Sequence, residues 1–400
     1  MKVPKRYRRI TRAATAAGLL ALTASAQDIR PDRVSPQETK TASAAMNEFG
    51  VKLISNLSAS QPHKNIFISP MSVFIALAMT EKGTTGETQA AIRRTLAVPH
   101  DVTEEQLHGS ASAVLKALDS SDGLSFADAL WSDQRLAPAF TEECRKFYRA
   151  EATTLDLSKA DAAAKQINDW VNKNTGSKIP SIVKPGDVVG SKVVLTNAVY
   201  FHGTWSKPFP KNVTQERIFH LADGGEKDVQ MMYQRELPGG YRKGDGFEAV
   251  ALDYRASHIR FYAILPEPGT SPEQALAGVS VQGLEATSGQ VGLLGLPRFS
   301  LDFSQALSDS LKAMGMGAAF TSSHDFRAMG AGNFSISNVL HRAVLEVDEE
   351  GTTASGTTAV VTRSLPQGHI LEFDRPFAVV LCDTQTGAIL FAGVVYDPGS

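Results

Sequence analysis

The chain is 400 residues long, 42% hydrophobic and 20% charged, a globular composition that supports a large core and excludes global disorder. Its formal net charge of −2 argues against a nucleic-acid binder, which needs cations to displace counterions from phosphates. Cys144 and Cys382 are too few for a disulfide scaffold and are expected as free, buried thiols, and no metal-ligand spacing or cofactor motif accompanies them.

Residues 1–26 read as an export signal. Lys2, Lys5, Arg6, Arg8, Arg9 and Arg12 make a basic start, Ala13 to Ala24 an apolar run, and Ala24-Ser25-Ala26 a small-x-small cleavage site. The expectation is a secreted protein, or a periplasmic one in a bacterial source, cleaved after Ala26. Arg8-Arg9 leaves a twin-arginine route open. No segment is apolar for long enough to span a membrane. Residues 27–40, with Pro31 and Pro36, are expected as a loose leader, and 41–398 as one domain.

Apolar residues at helical spacing (Ala45, Phe49, Leu53, Leu57) predict a helix over 42–57. Asn65-Ile66-Phe67-Ile68-Ser69-Pro70-Met71-Ser72-Val73 reads as a buried strand, a proline turn and an apolar helix, with Ser69 or Ser72 as cap. Further helices are expected over 103–118, 141–150 and 162–171. Phe126 to Trp131 alternates like a strand. Lys192 to Phe201 is apolar on both faces apart from Asn197, which predicts a central strand. Strands separated by turns follow over 216–265. Leu296 to Leu301 is expected as a strand and Ser304 to Met314 as a helix. Ile336 to Leu345 leads on to the stretch after it, and Phe373 to Phe377 and Ile389 to Val395 are expected as terminal strands.

Glu346 to Thr362 is unlike the rest. After an acidic start, Gly351 to Thr362 carries no charge, no proline and no large apolar side chain. Thr352, Ala354, Gly356, Thr358, Val360 and Thr362 would share one face of an extended chain, and all are small or β-branched. Such a segment tolerates water yet can enter a sheet without burying a charge. A flexible Ser/Thr/Gly linker is the alternative on composition alone.

The pattern Glu349-Glu350-Gly351-Thr352, with Ala354 beyond it, resembles the hinge of the serpins. Asn65-Ile66-Phe67-x-Ser69-Pro70-x-Ser72 and Asn197-Ala198-x-Tyr200-Phe201-x-Gly203-x-Trp205 are similar to serpin motifs, and the resemblance runs to the last strands. One departure is Ala378, where the family has a larger apolar residue. The resemblance implies an α+β serpin fold: one large central β-sheet, two further sheets, about nine helices and an exposed reactive-centre loop over about 349–370.

It also implies roles. Ser69, Ser72, Asn197 and His341 would form a shutter beneath the main sheet, although each could instead be an isolated buried polar group with its own partner. Arg298, beside Trp205, would pair with Glu349 at the top of the sheet, the breach; two solvated charges are the alternative. The reactive bond would lie among Arg363, Ser364 and Leu365. The family spacing counted forward from Gly351 and that counted back from Pro376 both end at Leu365. Pro366 follows it, and its nitrogen is in a ring without a hydrogen. That shifts preference to Arg363-Ser364 for a trypsin-like protease or Ser364-Leu365 for an elastase-like one. The implied function is suicide inhibition of a serine protease by a monomer. A non-inhibitory carrier or chaperone of the same fold is the runner-up. A surface module with a Thr-rich tail is disfavoured, because core strands follow the loop. No Gly-x-Ser-x-Gly elbow or complete dinucleotide motif suggests an enzyme.

Overall fold

The computed structural model describes residues 35–118, 123–285, 289–321, 324–352 and 369–399. Residues 1–26 and most of the expected leader lie outside them. The architecture is α+β. One sheet has five strands, in the order Phe299–Ala306, Ile336–Val347, Val193–Phe201, Leu124–Ser132 and Glu151–Thr154. Its two central neighbours, Ile336–Val347 and Val193–Phe201, are parallel, with register from Ile336↔Val193 to Val344↔Tyr200. Val193–Phe201 is buried at every position, as its two apolar faces require.

Each face of this sheet meets a different layer. On one, Ala163, Ala164, Ile167 and Val171 of the helix Ala160–Asn174 pack on Ala127, Ala129, Val194 and Ala198. Trp131 meets Trp170 edge-on at 5.5 Å there. On the other lies the main core, which includes the helix Pro70–Lys82, buried from Pro70 to Glu81. Ser69 caps that helix, its Oγ accepting from the Ser72 N–H at 3.3 Å. Pro70 at the first helical position has no N–H to leave unpaired.

The two further sheets are joined into one nine-stranded sheet by the long strand Glu226–Lys243. The first part of that strand pairs with Gln215–His220, and Tyr241 to Lys243 pair with Phe247–Asp253. The sheet that carries the candidate site is therefore central but has fewer strands. Ala378 is buried in the nine-stranded sheet, on the strand Phe377–Asp383.

Three expectations need correction. Residues 373–376 are not a strand: they connect Ile370–Glu372 to Phe377–Asp383, and Pro376 has no N–H to give a ladder. The first helix runs Pro36–Ser60, so residues 36–40 are not loose leader. Ser35 and Glu38 form a reciprocal capping box, and Pro36 sits in the first turn, a start signal that hydrophobic periodicity overlooks. Ser304 belongs to the strand Phe299–Ala306, and the helix begins later, at Ser308–Leu311. Antiparallel pairing with Leu340 to Val347 carries that strand through its polar residues.

Cys144 and Cys382 are free and buried, and burial pushes the Cys144 thiol up to about 12. Among the described residues no helix is long and apolar enough to cross a membrane, and no His/Cys/Asp/Glu group could hold a metal ion.

Candidate functional site

Sheet register lines up a polar rung. Asp128 lies opposite Asn197, Asn197 opposite His341, and His341 opposite Gln305. Residues in register share a face, and this face looks toward the helix Pro70–Lys82. The Asn197 amide donates to Asp128 Oδ1 and Ser72 Oγ, while its carbonyl meets His341 Nδ1. The Ser69 N–H donates to His341 Nε2 at 3.2 Å. A nitrogen that accepts carries no proton, so His341 is neutral and its proton sits on Nδ1, donated to Asn197. Ser72 Oγ donates to Asp128, 2.9 Å from Oδ1 and 3.1 Å from Oδ2.

Ser69, Ser72, Asn197 and His341 thus belong to one buried network. Asp128 is its missed member. A lone carboxylate in the apolar run Phe126 to Trp131 was the available signal, since a buried charge demands partners. Gln305 extends the rung through paired amide bonds to Gln61 at 2.9 and 2.8 Å.

The chain leaves the top of Ile336–Val347 and turns at Asp348 to Glu350. Glu349 is buried, and Arg298 Nε donates to both its carboxylate oxygens at 2.8 and 2.7 Å. Burial alone would raise this carboxyl. Arg298 and the Thr214 hydroxyl outweigh burial and hold it below the usual range. Glu350 pairs with Lys211. The indole N–H of Trp205 donates to the Asp348 carbonyl at 2.9 Å, and the Trp205 ring stacks on Tyr254 at 4.5 Å. The backbone N–H groups of Trp205 and Phe209 donate to Glu350 and Glu349 at 2.9 and 2.8 Å.

Gly351 and Thr352 then pair antiparallel with Thr204 and Gly203, which follow the strand Val193–Phe201. Gly351 has φ 150°, and a Cβ there would lie 2.0 Å from the Gly203 carbonyl oxygen. Only glycine permits that approach. Beyond Thr352, the residues Ala354, Arg363, Ser364 and Leu365 lie outside the described structure. The chain returns as Ile370–Glu372, parallel to Leu293 to Gly295 in the nine-stranded sheet.

The family model for "Serpin (serine protease inhibitor)" matches residues 44–398. The chain belongs to the serpin family. This serpin is 32% identical over 378 residues to a leukocyte elastase inhibitor of Sus scrofa, covering 89% of this chain and 99% of that protein. Among solved structures it is similar to human thyroxine-binding globulin, with a TM-score of 0.81 at 26% identity, covering 91% of this chain and 100% of the other. The thermophilic serpin Tengpin in its native state gives 0.79 at 26% identity, over 90% and 94% of the two chains.

The rung places two titrations in opposition. Burial raises Asp128 from 3.8 to about 7, despite the hydrogen bonds from Ser72 and Asn197. The folded protein holds that proton more tightly than the unfolded chain, so this stabilisation is complete below the lower value and is lost as pH rises toward 7. Burial lowers His341 from 6.5 to about 3. The folded protein resists that proton, so stability is lost as pH falls from 6.5 toward 3. Between pH 4 and 6.5 the two slopes largely cancel. Asp128→Asn removes only the first. Relative to wild type, the variant is expected to gain stability on the order of a few kcal/mol as pH rises from 4 to 7. Urea unfolding at several pH values checks this, and a constant difference across the range would contradict it.

Proposed function

We propose that this serpin is a suicide inhibitor of serine proteases. The observation that carries the reading is the junction of hinge and sheet. The central strands Ile336–Val347 and Val193–Phe201 are parallel neighbours, and a strand placed between them can run antiparallel to both. Gly351 and Thr352 already pair antiparallel at that end, and the following residues, through Thr362, are uncharged. After cleavage in the loop, the hinge segment would follow Gly351 and Thr352 into the sheet at roughly 3.4 Å per residue. A protease still joined as an acyl-enzyme would be carried tens of ångströms and distorted before water completes hydrolysis. In this reading the rung from Asp128 to His341 is a latch between strands that must part, and Arg298–Glu349 fixes the point where insertion starts. The 32% identity to a leukocyte elastase inhibitor supports an inhibitory role.

Incubation with trypsin-like and elastase-like serine proteases, read by denaturing electrophoresis, is expected to show a covalent complex. Cleavage without a complex for every protease would favour a carrier or chaperone. The small carboxy-terminal fragment reports the bond by its mass. A start at Ser364 makes Arg363 the specificity residue, a start at Leu365 makes it Ser364, and a start at Pro366 makes it Leu365. A start outside Ser364 to Pro366 would reject this placement.

We also propose that the protein is exported and cleaved after Ala26. The intact mass of the exported protein is expected to correspond to a first residue Gln27, and a retained leader would refute this.

A further inference from the structure

The first helix, Pro36–Ser60, and the helix Glu104–Ala117 border a cavity of about 180 Å³ that takes no part in the hinge or the buried rung. Its floor is apolar. Ala42 and Ala45 line it from the first helix, Leu107 from the other, Val98 from the connection between them, and Phe74 from the helix Pro70–Lys82. All five are buried. Its mouth is acidic, with half-buried Glu38 and exposed Asp101. Glu38 Oε2 accepts from the Ser35 N–H and hydroxyl, both at 2.8 Å. Among the described residues neither carboxylate has an ion-pair partner. The described residues begin at Ser35, one helical turn before Glu38. The residues immediately before it are Gln27-Asp28-Ile29-Arg30-Pro31-Asp32-Arg33-Val34.

We propose that the chain's own segment Gln27 to Val34 closes this cavity, with the Ile29 side chain inside and Arg30 and Arg33 at the carboxylates of Glu38 and Asp101. The reach is sufficient. Helical rise places Ala42 about 10 Å along the axis from Ser35. The six residues from Ile29 to Ser35 span about 20 Å when extended, enough to double back along the helix. Pro31-Asp32 supplies residues favoured in the turn this requires. The volume fits, because an apolar cavity of about 150 Å³ holds benzene, and the four-carbon side chain of isoleucine is smaller. The charges fit as well. Two guanidinium groups meet two carboxylates that lack cations, and a guanidinium pairs with a carboxylate through two parallel hydrogen bonds. Asp28 and Asp32 stay toward solvent. Docked in this way, the segment bridges Pro36–Ser60 and Glu104–Ala117 and removes the apolar floor from water. It needs no cut in the reactive loop, so it stands or falls independently of protease inhibition.

Hydrogen exchange read by mass spectrometry on the exported protein is the test, with a synthetic peptide from Gln27 to Ser35 as the free reference. The amides from Ile29 to Val34 are expected to exchange at least about tenfold more slowly in the protein than in the peptide. Raising salt from about 0.1 M to 1 M shortens the screening length from about 10 Å to 3 Å and should reduce that protection. Ile29→Asp should abolish it. Ala45→Phe, which fills the cavity from the first helix, should do the same, and the pair Arg30→Glu and Arg33→Glu replaces it if that variant fails to fold. Exchange as fast as in the free peptide would overturn the proposal, and so would protection that persists in Ile29→Asp. Protection that grows with protein concentration would give the cavity to the segment of a second copy and overturn docking within one chain.

Discussion

Thr352→Arg is expected to turn the inhibitor into a substrate. The uncleaved variant should fold and melt within a few degrees of wild type, and proteases should still cut its loop. What it should lose is the covalent complex. In the proposed mechanism, insertion would carry residue 352 into the sheet, directly after the Gly351 pairing with Thr204. In the extended register Thr352 opens the inward face, with Ala354, Gly356 and Thr358 behind it. A guanidinium there is buried without a partner, at a cost of about 3–5 kcal/mol. Trapping is a race between insertion and hydrolysis of the acyl-enzyme. If only about 3 kcal/mol reaches the insertion barrier, the partition shifts more than about 100-fold toward hydrolysis. Electrophoresis with measured stoichiometry reads this directly. A variant that still forms the covalent complex at wild-type stoichiometry would refute insertion through this hinge.

Much of this was legible in the chain because the signals are local. Val193–Phe201 declares a central strand by being apolar on both faces. Gly351 to Thr362 declares itself by lacking charge. The contacts of Arg298 with Glu349 and of Asn197 with His341 followed from resemblance, not from spacing, because each joins residues far apart in sequence. Asp128 was not legible in the same way. Its partner Ser72 lies on a separate helix and Asn197 on the next strand, so only the register of Leu124–Ser132 against Val193–Phe201 shows that the carboxyl completes a network. The pairing of Gly351 and Thr352 with Gly203 and Thr204 was equally illegible. It depends on a backbone approach that glycine allows but does not announce. Helix starts were missed where caps, not periodicity, decide, as at Ser35.

A nick in the loop is expected to raise the melting temperature, a reversal of the usual effect of cutting a chain. In the uncut protein Ile336–Val347 pairs directly with Val193–Phe201 in a parallel ladder. In the proposed mechanism, cleavage would free the segment behind Thr352 to enter between them. One parallel ladder is then exchanged for two antiparallel ones, and antiparallel pairing is slightly more stable per residue. Opening the sheet breaks the His341 contact with Asn197 and leaves both groups to find new partners, a penalty of about 1–3 kcal/mol for each one left unpaired. Against that stand roughly ten additional backbone hydrogen bonds at about 1 kcal/mol net each, together with burial of Ala354, Val360 and their neighbours. Ordering the segment costs entropy, but its β-branched residues are already biased to extended conformations, which lessens the loss. A net gain of about 5 kcal/mol would correspond to a rise on the order of 5–10 °C for a domain of this size. Melting curves before and after limited cleavage at Arg363 to Leu365 decide the matter. The same cut in Thr352→Arg should raise the melting temperature far less, because the arginine blocks the segment whose insertion produces the gain. An unchanged or lower melting temperature in cut wild-type protein would mean that the sheet does not accept the segment, and suicide inhibition by this serpin would be refuted.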